Sequence, residues 1–121
     1  MRHARLLTED RRELARLELA ETVLDRARGL LGRSSLPAGQ AMWLAPCRSI
    51  HTIGMRFAID VAFLDRNARV LTIREQLPPF RLTWGGWRAT GVLEFAAGEI
   101  ARLSITHGQQ LLMAVDADSE R

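Results

Sequence analysis

The feature that most constrains the fold is a series of short apolar segments, separated by turn residues, that fills the chain from residue 41 onward. Segments of about four to eight residues, rich in β-branched and aromatic side chains, are typical of strands rather than helices. The predicted strands are residues 41–44, 49–53, 57–64, 70–76, 90–95 and 110–115. They predict a mainly β (α+β) domain, a compact barrel-like or sandwich-like antiparallel sheet with one or two short helices.

One turn is specific enough to pair two of these strands. Asp65, Arg66, Asn67 and Ala68 lie between the segments 57–64 and 70–76. Asp and Asn favour tight turns because their side chains bond to nearby backbone groups. We therefore expect these two strands to form a hairpin.

The chain before residue 41 has a different pattern. Residues 14–19 alternate between apolar and charged side chains, which predicts a half-buried strand. Thr22 followed by Asp25 resembles a capping box, and it predicts a helix over residues 22–31 that ends at Gly29 or Gly32. The residues expected on its buried face are Val23, Leu24, Ala27, Leu30 and Leu31. A second short helix is predicted over residues 97–103.

The domain organisation follows from length and composition. A chain of 121 residues fits one domain. We predict a loose arm over residues 1–13, one globular domain over 14–116 and a tail over 117–121. No apolar run reaches the roughly 20 residues that cross a bilayer, and the charged N-terminal segment does not resemble a signal peptide. With Cys47 as its single cysteine, the chain is predicted to be cytoplasmic.

The positive charge gives little support to nucleic-acid binding. All 17 basic residues are arginine, and they are interspersed with 14 acidic residues to give a net charge of +3. Proteins that bind nucleic acid usually concentrate positive charge on one face or one helix. We therefore do not expect a nucleic-acid partner.

Several short motifs, in a fixed order, carry a resemblance to a known family. They are Glu21-Thr22 with Arg26, Gly29 to Arg33, Ile50-His51-Thr52, Ile59-Asp60, Phe63-Leu64-Asp65, Val92-Leu93-Glu94, Ala97-Gly98 and His107-Gly108. From about Ala20 to Val115, the sequence resembles the domain of unknown function 192 family. The resemblance implies a compact, mostly β domain with a small helical part. The family has no established activity, so it implies no catalytic residue.

Cys47 and His51 are spaced in a way that suggests either a metal site or a thiol–imidazole pair. A zinc site needs three or four ligands, and Cys47, His51, His107 and Asp60 have no recognised zinc spacing. On one extended strand, residues four apart are about 13 Å from each other, so a nucleophilic pair would need a turn between them. The alternative is a packed free cysteine and a histidine that bonds to a neighbour. We predict no metal and no cofactor.

Two carboxylates lie inside apolar segments, Asp60 in residues 57–64 and Glu94 in residues 90–95. A buried carboxylate must be paired with arginine or with backbone N–H groups, or its pKa rises. Asp60 is expected to bond to backbone amides, with a ligand or acid/base role as the alternative. The same choice applies to Glu94, and the two could form an acid/base pair if they were adjacent. Arg33 and Arg56 are the expected partners.

The segment from Leu77 to Arg88 is the best candidate for a binding surface. It contains two prolines, two glycines, two arginines and the tryptophans Trp84 and Trp87. Loops on rigid scaffolds commonly carry function, and tryptophan and arginine are enriched in binding hot spots. The alternative is that both tryptophans belong to the core.

These patterns together predict a binding or accessory module that recognises a small ligand, a peptide or a partner protein. The predicted ligand-binding residues are His51, Thr52, Met55, Asp60, Trp84, Trp87 and Glu94. The alternative is a small enzyme that uses Cys47, His51 and Asp60, and nucleic-acid binding comes third.

Overall fold

A computed structural model describes residues 2–117 as nine strands and two short helices. Residues 1 and 118–121, which include most of the predicted tail, lie outside the described residues. The elements are β1 (Arg2–Thr8), β2 (Glu13–Ala20), α1 (Val23–Arg28), β3 (Gln40–Leu44), β4 (Ser49–His51), β5 (Ile59–Leu64), β6 (Val70–Leu77), β7 (Leu82–Trp84), β8 (Gly91–Ala96), α2 (Glu99–Arg102) and β9 (Leu111–Val115).

Seven of these strands form one sheet in the order β6-β5-β8-β3-β2-β1-β9. The pair β2 and β3 is parallel, and the other neighbours are antiparallel. The two edges of the sheet meet at an isolated bridge between Arg69 and Gln110 and at neighbouring backbone hydrogen bonds, such as that from the Val70 N–H to the Gln109 carbonyl at 2.9 Å. The sheet is mixed and is not closed into a barrel. The mainly β prediction is confirmed in its sandwich-like form, and the predicted antiparallel pairing holds for every neighbouring pair in this sheet except β2 and β3.

The parallel pair explains where α1 lies. Parallel neighbours need a crossover, and the chain makes it through α1 between β2 and β3. Thr22 caps the helix by accepting a hydrogen bond from the Asp25 N–H at 3.0 Å, as the capping pattern predicts. The helix ends at Gly29, which has a φ of 48°. The crossover places α1 and the loop after it over one face of the sheet.

Apolar side chains are buried on both faces of the sheet. One core, which we call the α2 face, contains Leu17, Ala62, Leu64, Leu93, Phe95 and Ile100. The other, which we call the α1 face, contains Leu30, Met42, Leu44, Ile50, Met55, Ile59, Val61, Phe63 and Val92. Because both faces are covered, all six residues of β5 are buried.

Two predictions about the N-terminal half are wrong. Residues 2–8, predicted as part of a loose arm, form β1, which pairs with β2 on one side and β9 on the other. In α1, Val23 and Leu24 are exposed, whereas Leu30 in the following loop is buried. The apolar pattern of the predicted helix therefore continues into the loop, which supplies the core contact instead.

The predicted hairpin and the second helix are confirmed. Strands β5 and β6 pair in antiparallel register. In their turn, Asp65 Oδ1 accepts hydrogen bonds from the N–H groups of Asn67 and Arg69 at 2.8 and 3.0 Å. Helix α2 falls inside the predicted range.

Strands β4 and β7 form a separate two-stranded ribbon. Ser49 pairs with Trp84, Ile50 with Thr83, and His51 with Leu82. Since residues opposite each other in a ladder share a face, His51, Leu82 and Trp84 lie on one face of the ribbon. Ile50 on the other face packs into the core of the α1 face.

Candidate functional site

Glu94 lies in the middle of the sheet, on the α1 face. The register places it between Met42 of β3 and Val61 of β5. Both neighbours are fully buried, and Glu94 itself is only 5% exposed. A carboxyl group therefore stands in a row of apolar side chains under α1.

The Glu94 carboxyl has no hydrogen bond or ion pair with any of the residues that the structure describes. Arg33, predicted as a partner, instead binds Glu18 at 2.5 Å and lowers the pKa of Glu94 only through its charge. Burial dominates and raises the pKa of Glu94 to about 7. This carboxyl is therefore partly protonated at neutral pH.

A pocket of about 120 Å³ opens beside this carboxyl. Its walls come from the end of α1 and the following loop, from β3, β4 and β5, and from Cys47 and Met55. Every fully enclosed side-chain nitrogen or oxygen in residues 2–117 has a hydrogen-bond partner. The unpartnered Glu94 oxygens are therefore not sealed in the core but remain open to this pocket. We call it the Glu94 pocket.

The lining of the Glu94 pocket is apolar at its base and basic along the helix. The apolar residues are Leu30, Leu31, Leu44, Ile50, Met55 and Ile59. Arg26 and Arg28 occupy the last turn of α1 and also line the pocket. Arg26 donates a hydrogen bond to the Glu21 carbonyl at 2.7 Å, which fixes its side chain against the start of the helix.

Cys47 and His51 both line the pocket, on the segment that leads into β4 and at its end. The Cys47 thiol donates to the Ser49 carbonyl at 3.0 Å. Burial raises the pKa of this thiol, and the nearby Glu94 charge raises it further. A cysteine nucleophile requires the opposite shift, toward the thiolate.

Asp60 is the other carboxyl inside the sheet, and all its bonds go to the backbone. Its Oδ1 accepts from the Gln76 N–H at 2.8 Å, and its Oδ2 accepts from the N–H groups of Gly98 and Ile100 at 3.0 Å. The expected bonding to backbone amides is confirmed. Asp60 holds the end of β6 and the start of α2 against β5.

Asp60 and Glu94 do not form the acid/base pair that their neighbouring strands suggested. In the β5–β8 ladder, Asp60 is opposite Phe95, and Glu94 is opposite Val61. Side chains alternate between faces along a strand, so the two carboxyls point to opposite sides of the sheet. The acid/base hypothesis is wrong because of this register.

Thr52 is fully buried and binds the loop that follows β6. Its hydroxyl donates to the Pro78 carbonyl at 2.7 Å and accepts from the Arg81 N–H at 2.8 Å. The backbone N–H of Thr52 also donates to the Arg81 carbonyl at 2.8 Å. These bonds hold the loop beside β4, while a role in ligand binding stays a prediction.

Trp84 and Trp87 are not core residues, since they are 50% and 76% exposed. Their rings meet edge to face, with centroids 5.1 Å apart. Phe80 and Leu82 are also exposed. We call these four side chains the aromatic surface. Trp84 shares a ribbon face with His51 but does not line the Glu94 pocket.

The residues that sequence reasoning missed at this site come from the β2–β3 crossover. Arg26, Arg28, Leu30 and Leu31 line the same pocket as Glu94 because a parallel pair of strands carries α1 across the sheet. The signal in the sequence is a capped helix between two strands, which is the pattern of a parallel crossover.

The described residues were also compared with the patterns of a metal-binding cluster and of a membrane-spanning helix. No group of three or more His, Cys, Asp or Glu side chains in residues 2–117 is arranged to hold a metal ion. Neither α1 nor α2, the helices of this part of the chain, is long and apolar enough to cross a membrane.

Comparison with known families agrees with the fold and the motifs. Residues 5–113 match the DUF192 family, described as "Uncharacterized ACR, COG1430". The match covers most of the chain, and the protein belongs to this family. No curated protein matches the sequence.

Two solved structures have the same fold. A protein of unknown function from Novosphingobium aromaticivorans DSM 12444 aligns over 91% of this chain and 83% of its own, with a TM-score of 0.78 and 24% identity. A protein from Sinorhizobium meliloti 1021, whose suggested role is transcription regulation, aligns over 93% and 92% with a TM-score of 0.80 and 23% identity. At this identity, the likeness concerns the fold alone.

Proposed function

We propose that the protein is a binding module that holds a small ligand in the Glu94 pocket. The observation that carries the proposal is a carboxyl that is 5% exposed, has no partner among the described residues and opens onto a pocket. Burying such a group without a hydrogen bond costs about 1–3 kcal/mol. A ligand group that bonds to Glu94 would offset this cost, as polar groups in mainly apolar ligand sites do.

The pocket favours binding over the enzymatic alternative. A Cys47–His51 nucleophile needs a thiol with a lowered pKa, whereas burial raises the pKa of Cys47. Asp60, the third residue of that hypothesis, faces the opposite side of the sheet from Glu94. The proposed ligand-binding residues are therefore Glu94, His51 and Met55, together with Arg26, Arg28 and Leu31.

The test is an NMR fragment screen that includes acids, amines and neutral compounds. We expect shift changes to cluster on His51, Met55 and Glu94. Leu31→Ala should weaken binding about tenfold by removing apolar contact area. Leu24→Ala is the matched control, since Leu24 is exposed on α1 and does not line the pocket. Fragments that bind elsewhere, or equal losses in both variants, would contradict the proposal.

The aromatic surface supports a second candidate function, binding of a partner protein. Phe80, Leu82 and Trp87 are each more than 70% exposed, at 71%, 77% and 76%. Clusters of exposed apolar side chains commonly mark interaction sites. Shift changes confined to the tryptophan indoles in the same screen would favour this second function.

We further propose a cytoplasmic location. Cys47 is the single cysteine and is partly buried as a free thiol. Unpaired thiols are better tolerated in a reducing compartment. Fractionation of the native host with an antibody against the protein would test the location.

A further inference from the structure

Resting on the proposed function, we propose that the ligand of the Glu94 pocket is a small monocarboxylate with a short aliphatic chain. We also propose that it binds to the form of the protein in which Glu94 carries a proton. The protonated carboxyl donates its O–H to one oxygen of the ligand, and arginine side chains bind the charge. No covalent bond forms or breaks, and Glu94 keeps its proton when the ligand is bound.

The charges around the pocket favour an anion. Arg26 and Arg28 both line it, and Arg33 lies close enough to lower the pKa of Glu94. A cationic ligand would have to bind near the positive charge of Arg26, which acts on Cys47 in the pocket wall, and that of Arg33, which acts on Glu94. An anion gains from them, because arginine presents several N–H donors that match a carboxylate.

An ionised Glu94 would oppose such a ligand, since two carboxylates in a poorly solvated site repel each other. The protonated form removes this repulsion and supplies a hydrogen-bond donor. The absence of any hydrogen bond to Glu94 from the described residues leaves its O–H free for this use. Burial has already brought the pKa of Glu94 to about 7, so the protonated form is accessible near neutral pH.

The size and lining of the pocket restrict the rest of the ligand. A volume of about 120 Å³ is well below the range of roughly 300–1,000 Å³ that is usual for drug-sized ligands. Apolar side chains, including Leu44, Ile50 and Ile59, form most of its remaining wall. A carboxylate with about two or three further carbons fits both the volume and the lining.

Other titratable and charged groups around Glu94 must be separated from its own effect. Those lining the pocket are Arg26 and Arg28 from α1, Cys47 from the loop before β4, and His51 from β4. Arg33, bound to Glu18 of β2, acts at longer range. Of these groups, His51 is the one whose protonation would also favour an anion.

The experiment measures the dissociation constants of butyrate, butyramide and butylamine by NMR titration between about pH 6 and about pH 8.5. Butyrate should bind most tightly. Its dissociation constant should rise about tenfold per pH unit above pH 7, where the free protein loses the Glu94 proton. Glu94→Gln carries an amide N–H donor at every pH, so this variant should bind butyrate with less than about threefold variation across the range. His51→Asn should keep the pH dependence of the unmodified protein.

A matched pair of charge variants tests the anion site. Arg28→Gln should weaken butyrate binding about tenfold, a loss within the range for a charge-assisted hydrogen bond. Arg66→Gln makes the same change in net charge on the β5–β6 turn, away from the pocket, and should leave binding unchanged.

Two kinds of result would overturn the inference. If butylamine or butyramide binds in the pocket at least as tightly as butyrate, or if butyrate binding does not depend on pH, the ligand class is wrong while the pocket remains a binding site. If no probe of any charge shifts the pocket resonances, the proposed function fails together with the inference.

Discussion

Each face of the sheet contains a buried carboxyl, but only one of the two has hydrogen-bond partners among the described residues. On the α2 face, Asp60 is fully buried and accepts three backbone N–H bonds. On the α1 face, Glu94 is almost as buried and receives no hydrogen bond from the described residues. Their strands are hydrogen-bonded neighbours, and the register alone separates the two side chains. A buried carboxyl thus serves the fold where the backbone supplies its partners, and it is available to a ligand where the backbone does not.

The largest expected effect is the loss of Asp60. Asp60→Ala leaves three buried N–H donors without an acceptor, and we expect it to lower the free energy of unfolding by about 4 kcal/mol. Asp60→Asn should also destabilise, because its NH₂ group faces N–H donors instead of accepting from them. The free energies of unfolding of both variants can be measured by denaturant unfolding. Unchanged midpoints would show that Asp60 is solvated and that the two carboxyls do not differ in this way.

Glu94→Gln should instead raise the free energy of unfolding at neutral pH. The pKa of Glu94 is raised from 4.5 to about 7 in the folded state, so folding retains a proton that the unfolded chain has lost. Stability should therefore fall as pH rises from about 4.5 to about 7. Above pH 7, Glu94→Gln should be more stable than the unmodified protein by about 3 kcal/mol, and below pH 4.5 the difference should disappear. Unfolding midpoints measured across this range test the sign. Destabilisation by Glu94→Gln at neutral pH would mean that Glu94 has a structural partner.

Thr52 is a buried polar residue next to the Glu94 pocket whose hydroxyl, unlike the Glu94 carboxyl, has hydrogen-bond partners. Thr52→Val keeps the shape of the side chain but leaves the Arg81 N–H and the Pro78 carbonyl without their partner. We expect a loss of about 2 kcal/mol in thermal or denaturant unfolding. If stability is unchanged and ligand binding is lost, Thr52 belongs to the binding site rather than to the scaffold.

Substitution of Glu99 should cause the smallest loss of stability. The dependence of stability on pH that Glu99 causes should be opposite to that caused by Glu94. The hydrogen bond from Arg102 holds the pKa of Glu99 below its ordinary value, and the Gly39 N–H also donates to its carboxylate at 2.8 Å. The contribution of Glu99 to stability is therefore present above pH 4.5, and it is lost as the pH falls through the lowered pKa of Glu99. Since Arg102 is largely exposed, Glu99→Gln should cost only about 1 kcal/mol at neutral pH. A cost that grows below pH 4.5 would contradict this assignment.

Local patterns in the sequence predicted the elements that depend on local bonds. The Thr22 cap and the Asp65 turn are examples, because each is made by a side chain and a backbone group a few residues away. The β1 strand was missed because its partners, β2 and β9, are supplied by pairing across the chain, and its exposed arginines hide the buried alternation of Ala4 and Leu6.

The candidate site was predicted only in part for the same reason. His51 and Glu94 lie in predicted strands and Met55 lies between two of them, and all three line the pocket. Arg26 and Arg28 lie in the predicted helix, and the position of that helix between two strands indicates a crossover, but no local pattern shows which face of the sheet the crossover covers. Whether a buried carboxyl has partners also depends on the register, which separates Asp60 from Glu94.

The decisive measurement is the pKa of Glu94, followed through the ¹³C shift of its side-chain carboxyl group in an NMR titration of the free protein. A buried carboxyl without a hydrogen bond should titrate near pH 7, and the assigned resonance should be missing in Glu94→Gln. A midpoint at or below the ordinary value of 4.5 would show that Glu94 is solvated or bonded, and it would contradict both the pocket assignment and the proposed proton-linked ligand.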